Sequence, residues 1–297
     1  MKCDLCPRKC LVDRKKGEKG ICGQTENLKV ARAALHFWEE PCISGDAGSG
    51  AVFFSGCPLH CVFCQNENIA NGTVGKEISV ERLAEIFLEL QEKGANNINL
   101  VTPGHFVPQI TKALDLAKQE GLKLPIVYNT SSYETVETIK RLEGYVDIYL
   151  PDFKYMSPVL SKKYSHAPDY AEVAKAAIAE MVRQTGKAVF VNGEEDNLIL
   201  SGTIVRHLTL PGCMADSMQI LKYLHDTYGD KIYISIMNQF TPLSNLEKYP
   251  ELNRRITDEE YETLVDYAID IGIENGFIQE GDTAEESFIP AFDCEGV

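Results

Sequence analysis

Short apolar runs alternate with amphipathic stretches along most of the chain. AVFFS (51–55), NINLV (97–101), PIVYN (125–129), DIYLPDF (147–153) and KIYISIM (231–237) read as strands of β-branched and aromatic character. Between them apolar residues recur every three to four positions. That spacing predicts helices over 79–94, closing on Gly94, over 107–121 with Pro108 in the first turn, near 134–142, over 169–186, near 214–228 and near 257–272. AVFVN (188–192) and TIVRHLTL (203–210) flank an acidic turn at 193–197. Strand alternating with helix implies parallel βαβ units with right-handed crossovers. About six such units fit, fewer than the eight of a closed barrel, so the expected fold class is α/β, a partial TIM-like barrel. Active sites of such folds lie at the carboxyl ends of the strands. There the chain places its polar oddities: SGCPLHCVFCQN, TPGHF, NTSSYE, PDFKY, LPG and NQFTP.

Residues 1–50 read differently, loop-rich with six glycines after residue 16 and little periodicity. The expected organisation is a cysteine-rich metal-binding segment over 1–50 and the partial barrel over 51–297. The 297 residues carry 29 basic against 44 acidic side chains, a net charge of −15. Such an acidic surface repels phosphate backbones and anionic lipid, which disfavours nucleic-acid and membrane partners. No run approaches the roughly 20 apolar residues that span a bilayer, and MKCDLCPRKC has no apolar stretch behind its charges. A cytoplasmic location is expected.

Ten cysteines stand against one tryptophan. Cys3, Cys6, Cys10 and Cys22 form one group and Cys57, Cys61 and Cys64 another, while Cys42, Cys213 and Cys294 are isolated. In a reducing compartment, tight groups of thiols point to metal or iron–sulfur ligation rather than to disulfides. Three thiolates in eight residues fall short of the four ligands that close a structural zinc site or an electron-transfer cluster. They leave one iron of a [4Fe–4S] cluster open to an exogenous ligand. Phe63, between the second and third cysteines, is an aromatic placed to shield that cluster.

A C-x3-C-x2-C loop directly after the first strand of a partial barrel resembles the radical S-adenosylmethionine (SAM) superfamily. The resemblance implies a partial (β/α)6 barrel in which SAM chelates the open iron. One electron then cleaves SAM to methionine and a 5′-deoxyadenosyl radical that abstracts hydrogen from substrate. It also implies an electron donor such as a flavodoxin or ferredoxin. Later segments resemble the pyruvate formate-lyase activating-enzyme group, most closely relatives with an N-terminal four-cysteine segment. Where that group carries a D-T-N-G-like turn approaching SAM, this chain has Asn129 and Thr130. Its D-x-K turn is matched by Asp152 and Lys154, and the asparagine at 129 removes one negative charge from the monovalent-cation site these turns form in the family. IVRHLTLPG resembles the family's R-x-x-x-x-P-G strand end, which sets Arg206 against the SAM carboxylate or a substrate acid; an ion-paired barrel arginine is the alternative. The family's G-G-E-P turn for the SAM amino group is absent, which leaves that work to Thr102, Pro103, Gly104 and His105 in TPGHF or to other backbone carbonyls. MNQFTP is a candidate adenine or substrate contact.

The four N-terminal cysteines, C-x2-C-x3-C-x11-C, suffice for a closed second site holding either zinc or an auxiliary iron–sulfur cluster. The basic turn DRKKGEKG beside it is a solvated loop or a landing point for an acidic electron donor. The resemblance implies an oxidoreductase that activates a glycyl radical enzyme. The other readings are radical modification of a small molecule or peptide and, without catalysis, an iron–sulfur or zinc scaffold protein.

Overall fold

The computed structural model describes residues 2–193, 197–243, 246–279 and 290–297. In chain order the elements are β1 (Leu28–His36), α1 (Pro41–Ser44), β2 (Ser49–Phe54), α2 (Glu67–Ala70), β3 (Lys76–Ile78), α3 (Val80–Glu92), β4 (Ile98–Val101), α4 (Val107–Gln119), β5 (Ile126–Thr130), α5 (Val136–Lys140), β6 (Ile148–Pro151), α6 (Pro158–Ser165), α7 (Tyr170–Thr185), β7 (Val189–Phe190), β8 (Ile199–Leu208), α8 (Met214–Tyr228), β9 (Tyr233–Met237), α9 (Asp258–Asp270) and β10 (Gly276–Ile278). Local sequence explains the helix ends. Ser79 accepts a hydrogen bond from the Arg82 amide to start α3, and Thr257 with Glu260 forms a capping box on α9. Helix α3 then buries Leu83, Ile86, Phe87 and Leu90 against the sheet. At about 1.5–3 kcal/mol per apolar side chain, that face outweighs helix propensity as the reason the segment is ordered.

One sheet runs in the order β10-β9-β8-β6-β5-β4-β2-β1-β3, with β7 hairpinned onto β8. From β2 to β10 every neighbouring pair is parallel, and each is joined by a helical crossover. The result is the expected partial barrel of six strand–helix units, closed off by a seventh parallel strand. Its ends, β10 and β3, do not pair, so the sheet is open.

Three elements depart from the pattern reading. Strand β1 lies within residues 1–50, where loops were expected, and pairs antiparallel with β2 from Val30 to His36. A boundary at residue 50 would cut through this pair. The alternation that would have announced β1 is broken by a bulge between Val30 and Arg32 and by burial of both faces. Helix α6 is only eight residues, opened by Ser157 and Pro158 and half polar. Strand β10 has three residues, too few to show a period. The C-terminus also joins the sheet edge: Cys294 donates to the Ala31 carbonyl and Ala33 to the Glu295 carbonyl. No helix is long and apolar enough to cross a membrane among the described residues.

Candidate active site

The cysteine loop leaves β2 through Gly56, whose φ of +90° and contact with the Cys22 carbonyl exclude any side chain. The loop is then fixed at several points. Cys64 donates its amide to the Cys61 carbonyl, Val62 donates to the Tyr164 carbonyl, and Ser165 donates its hydroxyl to Cys61 Sγ at 3.1 Å. All ten cysteines are free thiols. Burial raises the Cys57 thiol to about 11, and Cys61 and Cys64 are raised as well. Proximity adds to this, since Cys57 and Cys61 each disfavour a thiolate on Cys64; the Asn66 amide and Lys154 oppose. Three part-buried thiols, each disfavoured as a lone thiolate, suit a positively charged metal core that draws off their protons. This donor set fits an iron–sulfur cluster with one iron left open. No group of three or more His, Cys, Asp or Glu side chains among the described residues closes on a single-ion position.

The three cysteines stand at one side of a cavity of about 500 Å³. Its wall holds most of the other candidates: Phe63, Thr102, Asn129, Thr130, Asp152, Lys154 and Arg206. Phe63 is buried with its edge toward Tyr155, Tyr164 and Phe240, so it packs the base of the loop. Thr102 is held at φ +56°, a conformation a β-branched residue rarely adopts, while its amide donates to the Asn129 carbonyl. Such strain costs about 1–3 kcal/mol and persists where the surroundings enforce it. Thr130 points its hydroxyl away from the metal side, onto Glu134 Oε1 at 2.9 Å.

Arg206, on β8, donates from all three guanidinium nitrogens: to Asp152 Oδ1 at 3.0 Å, Glu39 Oε2 at 2.9 Å and Asn129 Oδ1 at 2.6 Å. Of the two expected roles, the structure shows the ion-paired barrel arginine. Lys154 meets the other Asp152 oxygen at 2.6 Å. Burial alone would raise Asp152, but Lys154 and Arg206 together bring it below the ordinary carboxylate value.

His105 does not reach the cavity. Its Nε2 lies 2.7 Å from the Ser55 carbonyl, its ring sits against Phe106, and burial drops it to about 3, so it is a neutral core histidine. The cause is the short helical turn 104–106, which rolls the side chain under β2 instead of above β4. Pattern reading missed Glu39, Glu40 and Ser235, which line the cavity, whereas the MNQFTP turn it singled out does reach the cavity wall. Gln239 belongs to the MNQFTP turn, where Met237 and Phe240 join it. Glu39 and Glu40 gave no signal, because they precede β2 and enter the barrel only through α1.

Cys3, Cys6, Cys10 and Cys22 lie near enough to disfavour one another's thiolates: Cys10 and Cys22 act on Cys6, and Cys3 and Cys10 on Cys22. Their segment packs on the catalytic loop. Arg8 donates to the carbonyls of Pro58 (2.8 Å), Ser165 (3.0 Å) and His166 (2.6 Å), and its guanidinium lies 5.1 Å from the Tyr133 ring centre. The His60 ring meets the Ile21 carbonyl at 2.8 Å.

Comparison with known proteins places this geometry. The family model of the radical SAM superfamily matches residues 51–198. The uncharacterized protein MJ0674 of Methanocaldococcus jannaschii is 28% identical over 273 residues, spanning 90% of this chain and 74% of its own. Among solved structures, methylornithine synthase (PylB) superposes with a TM-score of 0.51 at 15% identity over 80% of this chain and 66% of that one. HydG, a maturase of the [FeFe]-hydrogenase, gives 0.51 at 15% identity over 78% and 52%. Streptococcus suis SuiB bound to its precursor peptide SuiA gives 0.50 at 11% identity; this chain spans about half of SuiB, 47% of its length. The structural likenesses speak to fold. The family match begins in β2, runs through the cysteine loop and continues across the parallel units to the start of β8, and on that ground the chain belongs to the radical SAM superfamily.

Proposed function

We propose that the cavity is the reaction chamber of a radical SAM enzyme acting on a small molecule or on a single side chain of a peptide. The observation that supports this is the joining of three free cysteines and a buried ionic network in one cavity of about 500 Å³. Pockets of that size take small ligands. Cys57, Cys61 and Cys64 would hold a [4Fe–4S] cluster, which with SAM supplies the 5′-deoxyadenosyl radical that abstracts hydrogen. The residues of the chain do the rest. Lys154, whose charge lowers the energy of negative charge on the cysteines, partly offsets the burial that disfavours their thiolates. Asn129, Asp152 and Arg206 form a rigid polar wall, and Phe63 with Phe240 keeps water from the loop. Low-dielectric walls of this kind protect a radical from quenching.

The open sheet favours a second reading, in which a backbone glycine of a partner enzyme enters the gap and is activated. Cys3, Cys6, Cys10 and Cys22 are assigned to a second metal centre. The exposed Lys15 and Lys16 beside it suit an acidic donor such as a flavodoxin. The test is anaerobic: reconstituted protein, reductant and SAM should yield 5′-deoxyadenosine, and Cys61→Ala should lose both cluster iron and product. An intact cluster with no product would refute the radical reading. Deuterium moving from labelled small molecules into 5′-deoxyadenosine supports the first substrate reading, whereas a protein glycyl radical signal supports the second.

A further inference from the structure

Acidic side chains outnumber basic ones around the cavity. Apart from the cysteines, the lining carries three carboxylates, Glu39, Glu40 and Asp152, against two cations, Lys154 and Arg206. Glu39 and Asp152 are paired: Glu39 takes Arg206 on Oε2 and the Asn99 and Asn129 amides on Oε1, and Asp152 takes Arg206 and Lys154. Glu40 is the residue left over. It is 8% exposed, and its Oε2 has no partner among the described residues. Asn99 Oδ1, on the amide that serves Glu39, is a second buried acceptor without a donor. Nearby His36 cannot act as counterion, because burial and the charges of Arg32 and Arg206 lower it to about 4. Arg206 faces Glu40 but is already spent on Asp152, Glu39 and Asn129, and Ser235 offers Glu40 only a hydroxyl.

We propose that Glu40 is a specificity residue of the cavity, holding a primary ammonium group of the substrate. A carboxyl oxygen without a donor among the described residues, on a group whose side-chain partner is a neutral hydroxyl, is matched by a compact monocation with N–H donors. A substrate acid would meet repulsion from Glu39 and Glu40 and would find Arg206 occupied. This inference rests on the cavity being the reaction chamber, and it deepens that reading by naming the substrate's charge. Burial raises the Glu40 carboxyl and Glu39 adds to the rise while Arg206 opposes; an ammonium beside it favours its charged form.

The probe is n-butylamine, an ammonium at pH 7, compared with n-butanol and butyrate by saturation-transfer difference NMR on oxidised, reconstituted holoenzyme. The expected result is binding of the amine about tenfold or more tighter than of the alcohol, with no binding of butyrate. Glu40→Gln should erase that preference, and Glu40→Asp, which keeps the charge, should retain it. Equal binding of amine and alcohol by the native protein overturns the proposal even where a variant fails to fold. A preference that survives Glu40→Gln overturns it as well. A tenfold loss of SAM affinity in Glu40→Gln with the amine preference unchanged assigns the carboxylate to SAM and has the same effect. Formation of 5′-deoxyadenosine by the native protein is measured separately, so a failed amine test leaves the radical reading standing.

Discussion

Replacing Arg206 with methionine keeps most of its volume and removes the hub of the buried network. Three hydrogen bonds go at once, two of them to carboxylates, those of Asp152 and Glu39. Asp152 keeps Lys154, but Glu39 keeps only two neutral amides while its side chain is 8% exposed. Breaking a buried pair so that a charge stays behind costs about 3–5 kcal/mol, which is a third or more of a typical domain's stability. Arg206→Lys retains the charge without the fork and should cost about half as much. The pH dependence follows with a definite sign. Asp152 is held below its unfolded value, so its contribution is present above about pH 4 and is lost as pH falls through the folded value. The deficit of Arg206→Met should therefore be largest near neutrality and shrink in acid, as Asp152 takes its proton. Urea unfolding followed by circular dichroism, on native and variant proteins in the same metal state, measures it. A loss under about 1 kcal/mol at pH 7, or a deficit that grows in acid, would refute the reasoning.

Other expectations use the same structure. Gly104→Ala would drive its methyl into the Glu134 carboxylate and should cost about 1–3 kcal/mol, relieved when combined with Glu134→Ala in a double-mutant cycle. Burial raises Glu134 to about 7, against the partial relief of Thr130 and Tyr128, so folding stability should decline by about 3 kcal/mol as pH rises from roughly 4.5 to 7; Glu134→Gln should flatten that slope in thermal melts. Arg8→Gln should release the three carbonyls it holds and speed amide hydrogen exchange in residues 57–64, with exchange in α9 unchanged. Cys6→Ser should lower metal content by one zinc or by one cluster's iron relative to the native protein, and elemental analysis identifies which.

The strand–helix alternation was legible because parallel strands such as β4, β5 and β6 are buried on both faces and read as unbroken apolar runs. The cysteine loop was legible because its ligands are close in sequence and chemically unlike their surroundings. Strand β1 was not, since a bulge and interleaved Lys29 and Arg32 erase its period. His105 was misplaced because a strand-end position says nothing of the direction in which a short turn points a side chain. Glu39 illustrates the harder limit. It is 167 residues from Arg206, its partner, and no local pattern marks a carboxylate whose counter-charge is supplied by another strand.

The same long-range wiring bears on why the N-terminal segment is attached to the barrel at all. The eight-residue loop 57–64 has no regular secondary structure; Leu59 and Phe63 anchor it in the core, and contacts from other segments fix the rest of its shape. The chain supplies them from both sides. Ser165 and Tyr164, at the end of α6, grip Cys61 and Val62 from within. Arg8 and the Ile21 carbonyl grip Pro58 and His60 from without, and Cys22 packs its carbonyl on Gly56. Arg8 also bonds Ser165 and His166, so a single guanidinium ties the outer grip to the inner one. It lies between Cys6 and Cys10 in sequence, so the fold of the four-cysteine segment fixes the position of Arg8. Loss of order in that segment would reach Cys61 through two contacts, Arg8 to Ser165 and Ser165 to Cys61.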